Sequence, residues 1–359
     1  MAMRRQILIL IISLLCGIVK AQRAPALNSP EVLPDNRVTF RYYSRTAIQV
    51  LLDGEFLSKP QQMVKDTAGV WSLTIGPIKP DIYPYSYSVD HVQLADPNNT
   101  YIFANERFKR SIVEISGTTP LVHSLRNVPH GSIEYRYYHS KTLDTLRRVL
   151  VYTPPGFDAS GKTKYPVLYL VHGGSDTEET WTKVGRANFI ADNLIADKKA
   201  VPMIIVMPYG NVRPKPMPDF TPDVVHDLIP FIEANYPVNK DSNKRAIAGF
   251  SVGGGQVLNI GLTNTDKFAY LSSYAPYTAT EEFKKNFSDY RPDSALLNKR
   301  LKLFTISVGT DDFLYESVKE NVSMFKNKGL RLKSFFVPGG HTWMNCKLYL
   351  ANTLENIFK

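Results

Sequence analysis

Between Ala246 and Gly255 the chain sets one serine, Ser251, inside Gly249-Phe-Ser-Val-Gly253, after an apolar segment and ahead of a helical one. A Gly-x-Ser-x-Gly pentapeptide at such a junction suits a strained strand-to-helix turn that lifts the serine hydroxyl clear of the backbone. The two glycines remove side chains that would collide across the turn. A serine hydroxyl becomes a useful nucleophile only when a base takes its proton and a carboxylate orients that base. Two later motifs supply both groups. Leu303 to Val308 is an apolar run closing in Gly309-Thr-Asp311-Asp312, and Pro338-Gly-Gly-His341-Thr-Trp343 puts a histidine after a glycine pair. Serine, acid and histidine therefore follow in the order that an elbow nucleophile requires. Asp312 is the expected orienting acid and Asp311 the reserve, because successive side chains diverge; capping the next helix is the competing use of either.

Upstream, His172-Gly173-Gly174 follows the apolar run Val167 to Val171. Glycines there let backbone N–H groups approach a developing oxyanion. The amides of Val252 and Gly174 are the expected donors, with Gly173 the near alternative, and His172 is expected to make structural hydrogen bonds. His91, His123, His130 and His139 precede the serine in less suitable contexts, and His226 falls within a helix. Trp181 and Trp343 are candidate walls of an aromatic acyl site, with burial as the competing reading.

Positioning these groups takes a sheet whose strands all end on one edge. From about residue 130, apolar strands alternate with longer helical patterns, as in a mostly parallel sheet covered on both faces. The strands expected are 148–152, 167–171, 203–207, 245–248, 270–273, 303–308 and 332–337. Thr221-Pro-Asp223 is expected to cap a helix reaching about Asn235, and a further helix is expected from about Tyr315 to Lys328. Residues 25 to 99 read differently. Short alternating segments such as Arg37 to Tyr43, Val70 to Ile75 and Tyr83 to Val89, punctuated by turn residues, predict a small antiparallel β-sandwich. Tyr83, Tyr85 and Tyr87 share one face of a strand, where a core role is expected over a sugar platform.

The composition excludes several classes. Residues 1–21 carry Arg4 and Arg5, an apolar run from Ile7 to Val19 and a small-x-small ending, which predicts a secretory signal peptide; the run is short of the about 20 residues of a membrane span. Cleavage there would lower the formal charge from +10 to +7 and leave Cys346 as the sole cysteine, so no internal disulfide is expected. The remaining Lys and Arg are scattered, and nucleic acid is not an expected partner. No stable membrane insertion is expected after cleavage, and the product would be secreted or periplasmic.

Together, His172-Gly-Gly174, Gly249-Phe-Ser-Val-Gly-Gly254, Gly309-Thr-Asp-Asp-Phe-Leu-Tyr315 and Gly339-Gly-His-Thr-Trp343 resemble carbohydrate esterase family 1, the feruloyl esterase and esterase-D-like branch of the α/β-hydrolases. The resemblance covers roughly residues 130 to 359 and itself puts the orienting acid before Phe313, at Asp312. Ser29-Pro-Glu-Val-Leu-Pro-Asp35, Gly69-Val-Trp71 and Asp96-Pro-Asn-Asn99 are similar to the immunoglobulin-like module, akin to family 48 carbohydrate-binding modules, that accompanies such esterases. Two departures stand out: Val252 where Met is common after the serine, and the bulky Ser272-Ser-Tyr-Ala-Pro276 after the next strand. The organisation implied is a signal peptide (1–21), an immunoglobulin-like sandwich (22–100), a linker (101–129) and an α/β-hydrolase esterase domain (130–359).

That resemblance implies a secreted serine esterase, without metal or organic cofactor, acting on feruloylated xylan oligosaccharides. Acetylated xylan is the alternative substrate. A non-catalytic carbohydrate-binding protein on a hydrolase scaffold and an acyltransferase are the readings from other classes.

Overall fold

The computed structural model describes residues 25–212, 220–279 and 290–359, together with Phe283, Asn286 and Phe287. The expected signal peptide lies outside the described residues. Among those described, no helix is long and apolar enough to cross a membrane.

Ten short strands build the amino-terminal unit: β1 (Glu31–Val32), β2 (Val38–Tyr43), β3 (Val50–Gly54), β4 (Gln61–Gln62), β5 (Val64–Lys65), β6 (Val70–Ile75), β7 (Asp81–Val89), β8 (Val92–Leu94), β9 (Ile102–Phe103) and β10 (Arg110–Ile115). They form two antiparallel sheets, β1-β2-β6-β5 and β4-β3-β7-β10-β9, with β8 paired to β7. Period-two alternation turns Val38 and Phe40, Val50 and Leu52, and Tyr83, Tyr85 and Tyr87 into the core between the sheets. The tyrosine row is thus core, with the Tyr85 and Tyr87 hydroxyls donating to buried Asp96 at 2.8 and 3.0 Å. Residues 101–129, expected as a linker, carry β9 and β10 instead, so the sandwich extends to Ile115. Buried Ile112 of β10 and Ile82 of β7 join the core of the next unit, which binds the two layers together.

The second unit is one eight-stranded sheet: β11 (Ser132–Ser140), β12 (Thr145–Thr153), β13 (Val167–Val171), β14 (Ile204–Pro208), β15 (Arg245–Phe250), β16 (Tyr270–Tyr274), β17 (Leu303–Gly309) and β18 (Lys333–Val337). Its order is β11-β12-β14-β13-β15-β16-β17-β18, antiparallel across the first two junctions and parallel thereafter, which is an α/β-hydrolase sheet. The central strands β13 to β16 are buried at every position because helices cover both faces. One strand was not expected: β11, at the edge, exposes Tyr135, Tyr137 and His139 and buries only Tyr138 and Ser140 on alternate positions. The helix reaching Asn235 is already under way at Phe220, so Thr221 does not cap it; its hydroxyl accepts from Asn259 Nδ2 at 2.9 Å. The helix after Asp312 spans Tyr315–Asn327, as its spacing predicted.

Candidate active site

Parallel strands that start together also end together. The loops after β13, β15, β17 and β18 therefore meet at one edge of the sheet, carrying His172-Gly-Gly174, Ser251, Asp312 and His341 respectively.

Ser251 stands between β15 and the helix Val252–Thr263 at φ 57° and ψ −116°, a left-sided conformation that a non-glycine residue rarely holds. The surroundings enforce it. Ser251 N–H donates to Tyr274 O at 2.9 Å, and its carbonyl accepts from Tyr277 N–H at 2.8 Å. A Cβ on Gly249 would come within 2.7 Å of Gly253 O, and one on Gly253 would run into the His172 carbonyl. Both glycines are thus fixed by backbone packing. Val252 opens the helix, so its N–H is among the first-turn amides without an intrahelical acceptor, at the positive end of the helix dipole.

His341 Nδ1 lies 2.8 Å from Asp312 Oδ2. The other carboxylate oxygen of Asp312 accepts from Leu314 N–H at 2.8 Å, so one acid both orients the histidine and holds the start of the following segment. Asp311 turns the other way and accepts from Gly339 N–H at 3.0 Å, securing the loop that carries His341. The imidazole is sandwiched between Phe250 and Phe313, with ring centroids at 4.5 and 4.7 Å.

His172 has a different role. It is buried, and Nε2 accepts from Gly210 N–H at 2.8 Å, so the ring proton sits on Nδ1 and donates to Gly173 O at 2.7 Å. Burial pushes its pKa down to about 4. A neutral imidazole with both nitrogens engaged holds a loop and takes no proton. Gly174 packs against Val252, where an added Cβ would stand 3.0 Å from Val252 Cγ2, so the two expected oxyanion donors are neighbours. Asp176, two residues on, is buried with its carboxyl pushed up to about 7 by desolvation, against the opposing pull of hydrogen bonds from Asn105 and the Gly173 backbone amide.

Trp181 and Trp343 do not line an open slot. They are 0% and 4% exposed and form an edge-to-face cluster with Phe250 and Tyr274: Phe250 to Trp343 at 5.6 Å, Trp343 to Trp181 at 4.8 Å and Trp181 to Tyr274 at 6.2 Å. Gly185 closes against both indoles. Trp343 packs against Phe250, whose ring in turn contacts His341. The bulky Ser272-Ser-Tyr274 segment likewise lies beneath the elbow, with Ser273 Oγ donating to Gly254 O at 2.9 Å. Among the described residues, aromatic rings that face solvent near the site include Phe313, 75% exposed against His341, and Tyr277. In the sequence the signal for Phe313 is its place directly after Asp312.

Comparison with known proteins places this geometry in context. The Esterase family model matches residues 140–351. The endo-1,4-beta-xylanase/feruloyl esterase of Xylanibacter ruminicola is 29% identical over 309 residues, which cover 82% of this chain and 41% of that protein. The chain thus spans about two fifths of that relative's length. A solved ferulic acid esterase is similar at 25% identity and a TM-score of 0.58, over 64% of this chain and 98% of that one. The enterochelin esterase of Shigella flexneri shares the fold across both units, with a TM-score of 0.67 at 16% identity, covering 96% of this chain and 98% of that one.

Proposed function

The chain belongs to the Esterase family, and from that premise we propose that it is a serine carboxylic-ester hydrolase, exported through residues 1–21, that removes feruloyl esters from arabinoxylan in plant cell walls. The observation that supports the reaction type is that Ser251, on its strained turn after β15, and the hydrogen-bonded His341–Asp312 pair, after β18 and β17, follow parallel strands of one sheet. In this reading Ser251 Oγ attacks the ester carbonyl while His341 Nε2 takes its proton, and Asp312 stabilises the imidazolium through Nδ1–H. The negative oxygen is held by the N–H groups of Val252 and Gly174. Collapse expels the sugar alcohol, which takes the proton from His341 and leaves an acyl-serine. Water, deprotonated by His341, then attacks that ester and releases the acid and free Ser251.

A feruloyl substrate is supported by the exposed ring of Phe313 beside His341, by Tyr277, and by the xylanase/feruloyl esterase and ferulic acid esterase relatives. The test is to incubate the purified chain with feruloylated and with acetylated xylan fragments and to quantify the acids released. Ferulate as the main product is expected. Acetate without ferulate would overturn the substrate assignment, and glycan binding without any acid release would overturn the enzymatic one.

A further inference from the structure

The loop that carries Gly174 is held by the amino-terminal sandwich. After β9 the chain turns at Asn105, a buried residue whose Oδ1 accepts from the backbone N–H groups of Arg107 and Phe108 at 2.9 and 3.3 Å. Its Nδ2 is left to reach across 71 residues of sequence and donate to Asp176 Oδ1 at 2.9 Å. The backbones of Asn105 and Asp176 also form an isolated antiparallel bridge, with Glu106 N–H donating to Ser175 O at 2.7 Å. Thr180 Oγ1 donates to Ala104 O at 2.9 Å.

From the opposite side the loop after β14 completes a clasp. Asn211 Nδ2 donates to Asp176 O at 2.8 Å and to Glu106 Oε2 at 3.1 Å, and Tyr209 OH donates to Glu106 Oε1. The clasped segment needs such help. It contains two successive glycines, which are conformationally permissive, and then Ser175 at φ 63°.

We propose that Asn105 is a positioning residue for ester hydrolysis, holding the His172-Gly173-Gly174 loop through Asp176 so that the Gly174 N–H sits where the oxyanion forms. The proposal rests on the reading of Ser251 as nucleophile and Gly174 as donor. One oxygen of Asp176 takes the Asn105 amide, while the other lies 3.1 Å from where a Gly173 Cβ would stand. The backbone of the same segment closes on itself, with Asp176 N–H donating to Gly173 O at 3.2 Å. The sandwich is, on this account, part of the catalytic apparatus, and its contribution is to the transition state.

The experiment uses the full chain, 4-nitrophenyl acetate, and three variants. Asn105→Asp keeps the Oδ1 acceptor of the turn but faces Asp176 with a second carboxylate. The double variant Asn105→Asp with Asp176→Asn reverses the donor and acceptor and restores the bond. Asn105→Asp is expected to lower kcat by about tenfold to a hundredfold with KM within about twofold, since the Gly174 amide acts on charge that develops during reaction. The swap is expected to return kcat to within about threefold of the unmodified protein. An unchanged kcat in Asn105→Asp, or a swap that regains thermal stability without regaining kcat, would overturn the proposal. Ser251→Ala, run alongside, reports on the functional reading alone: hydrolysis surviving in that variant would remove the nucleophile assignment whatever Asn105 does.

Discussion

Gly253→Ala is the substitution that probes most sharply how the elbow and the oxyanion loop depend on each other. A Cβ at residue 253 would collide with the His172 carbonyl oxygen and lie 3.0 Å from Val171 O and 3.1 Å from His172 C, all backbone atoms that cannot swing aside. Relief requires the end of β13 and the His172-Gly-Gly174 loop to retreat from the elbow by about 1 Å, a displacement that costs about a hundredfold in rate when it separates catalytic groups. Overpacking of this kind also destabilises by about 1–3 kcal/mol. Steady-state hydrolysis of 4-nitrophenyl acetate should therefore show kcat down by about a hundredfold, with a lowered but cooperative thermal transition. Gly156→Ala is the control for added bulk without a collision: Gly156, unlike Gly253, has positive φ, but nothing lies within 4 Å of an added Cβ, so only local strain and no rate loss is expected. Gly253→Ala retaining kcat within about threefold would refute the reasoning, because the collision could then be absorbed without moving the donors.

Three further outcomes follow from the same geometry. Asp312→Asn keeps an acceptor for Leu314 N–H but offers an amide to His341 Nδ1, favouring the wrong tautomer; kcat should fall by about ten-thousand-fold with little change in thermal stability. His172 has a folded pKa of about 4 against an ordinary value of 6.5, so the stability tied to its neutral form is full above about pH 6.5 and is lost as pH falls toward 4. The stability advantage of the unmodified protein over His172→Gln, measured by urea denaturation, should shrink by about 3 kcal/mol from pH 7 to pH 4; a constant difference would contradict the buried neutral imidazole. Phe313→Ala removes an exposed ring worth about 0.5–1.5 kcal/mol of stacking, so kcat/KM for methyl ferulate should fall by about three- to tenfold while that for 4-nitrophenyl acetate stays within about twofold. Equal losses on both substrates would argue against an aromatic acyl contact.

Local chemistry made the elbow legible. Gly249, Ser251 and Gly253 stand in one short stretch, and the acid and histidine each follow an apolar strand. The inner strands were legible for a related reason: β13 is buried on both faces, so Val167 to Val171 is apolar throughout. Edge strands carry a weaker signal. β11 exposes tyrosines and a histidine, which hides its alternation, and β9 and β10 are short segments among turn residues, which makes them read as linker. Burial of Trp181 and Trp343 depends on which rings stack in three dimensions, and tryptophan suits a pocket wall as well as a core. Least legible was the Asn105–Asp176 contact, since an asparagine that closes its own turn gives no sign of a second partner 71 residues away.

The central claim is that Ser251 carries the acyl group between attack and hydrolysis. Rapid mixing of the chain with 4-nitrophenyl acetate, acid quench within the first turnover and peptide mass spectrometry test it directly. One acetyl group on the peptide containing Ser251, absent from Ser251→Ala, is the predicted result. Acetylation elsewhere with Ser251 unmodified, or turnover unchanged in Ser251→Ala, would contradict the account.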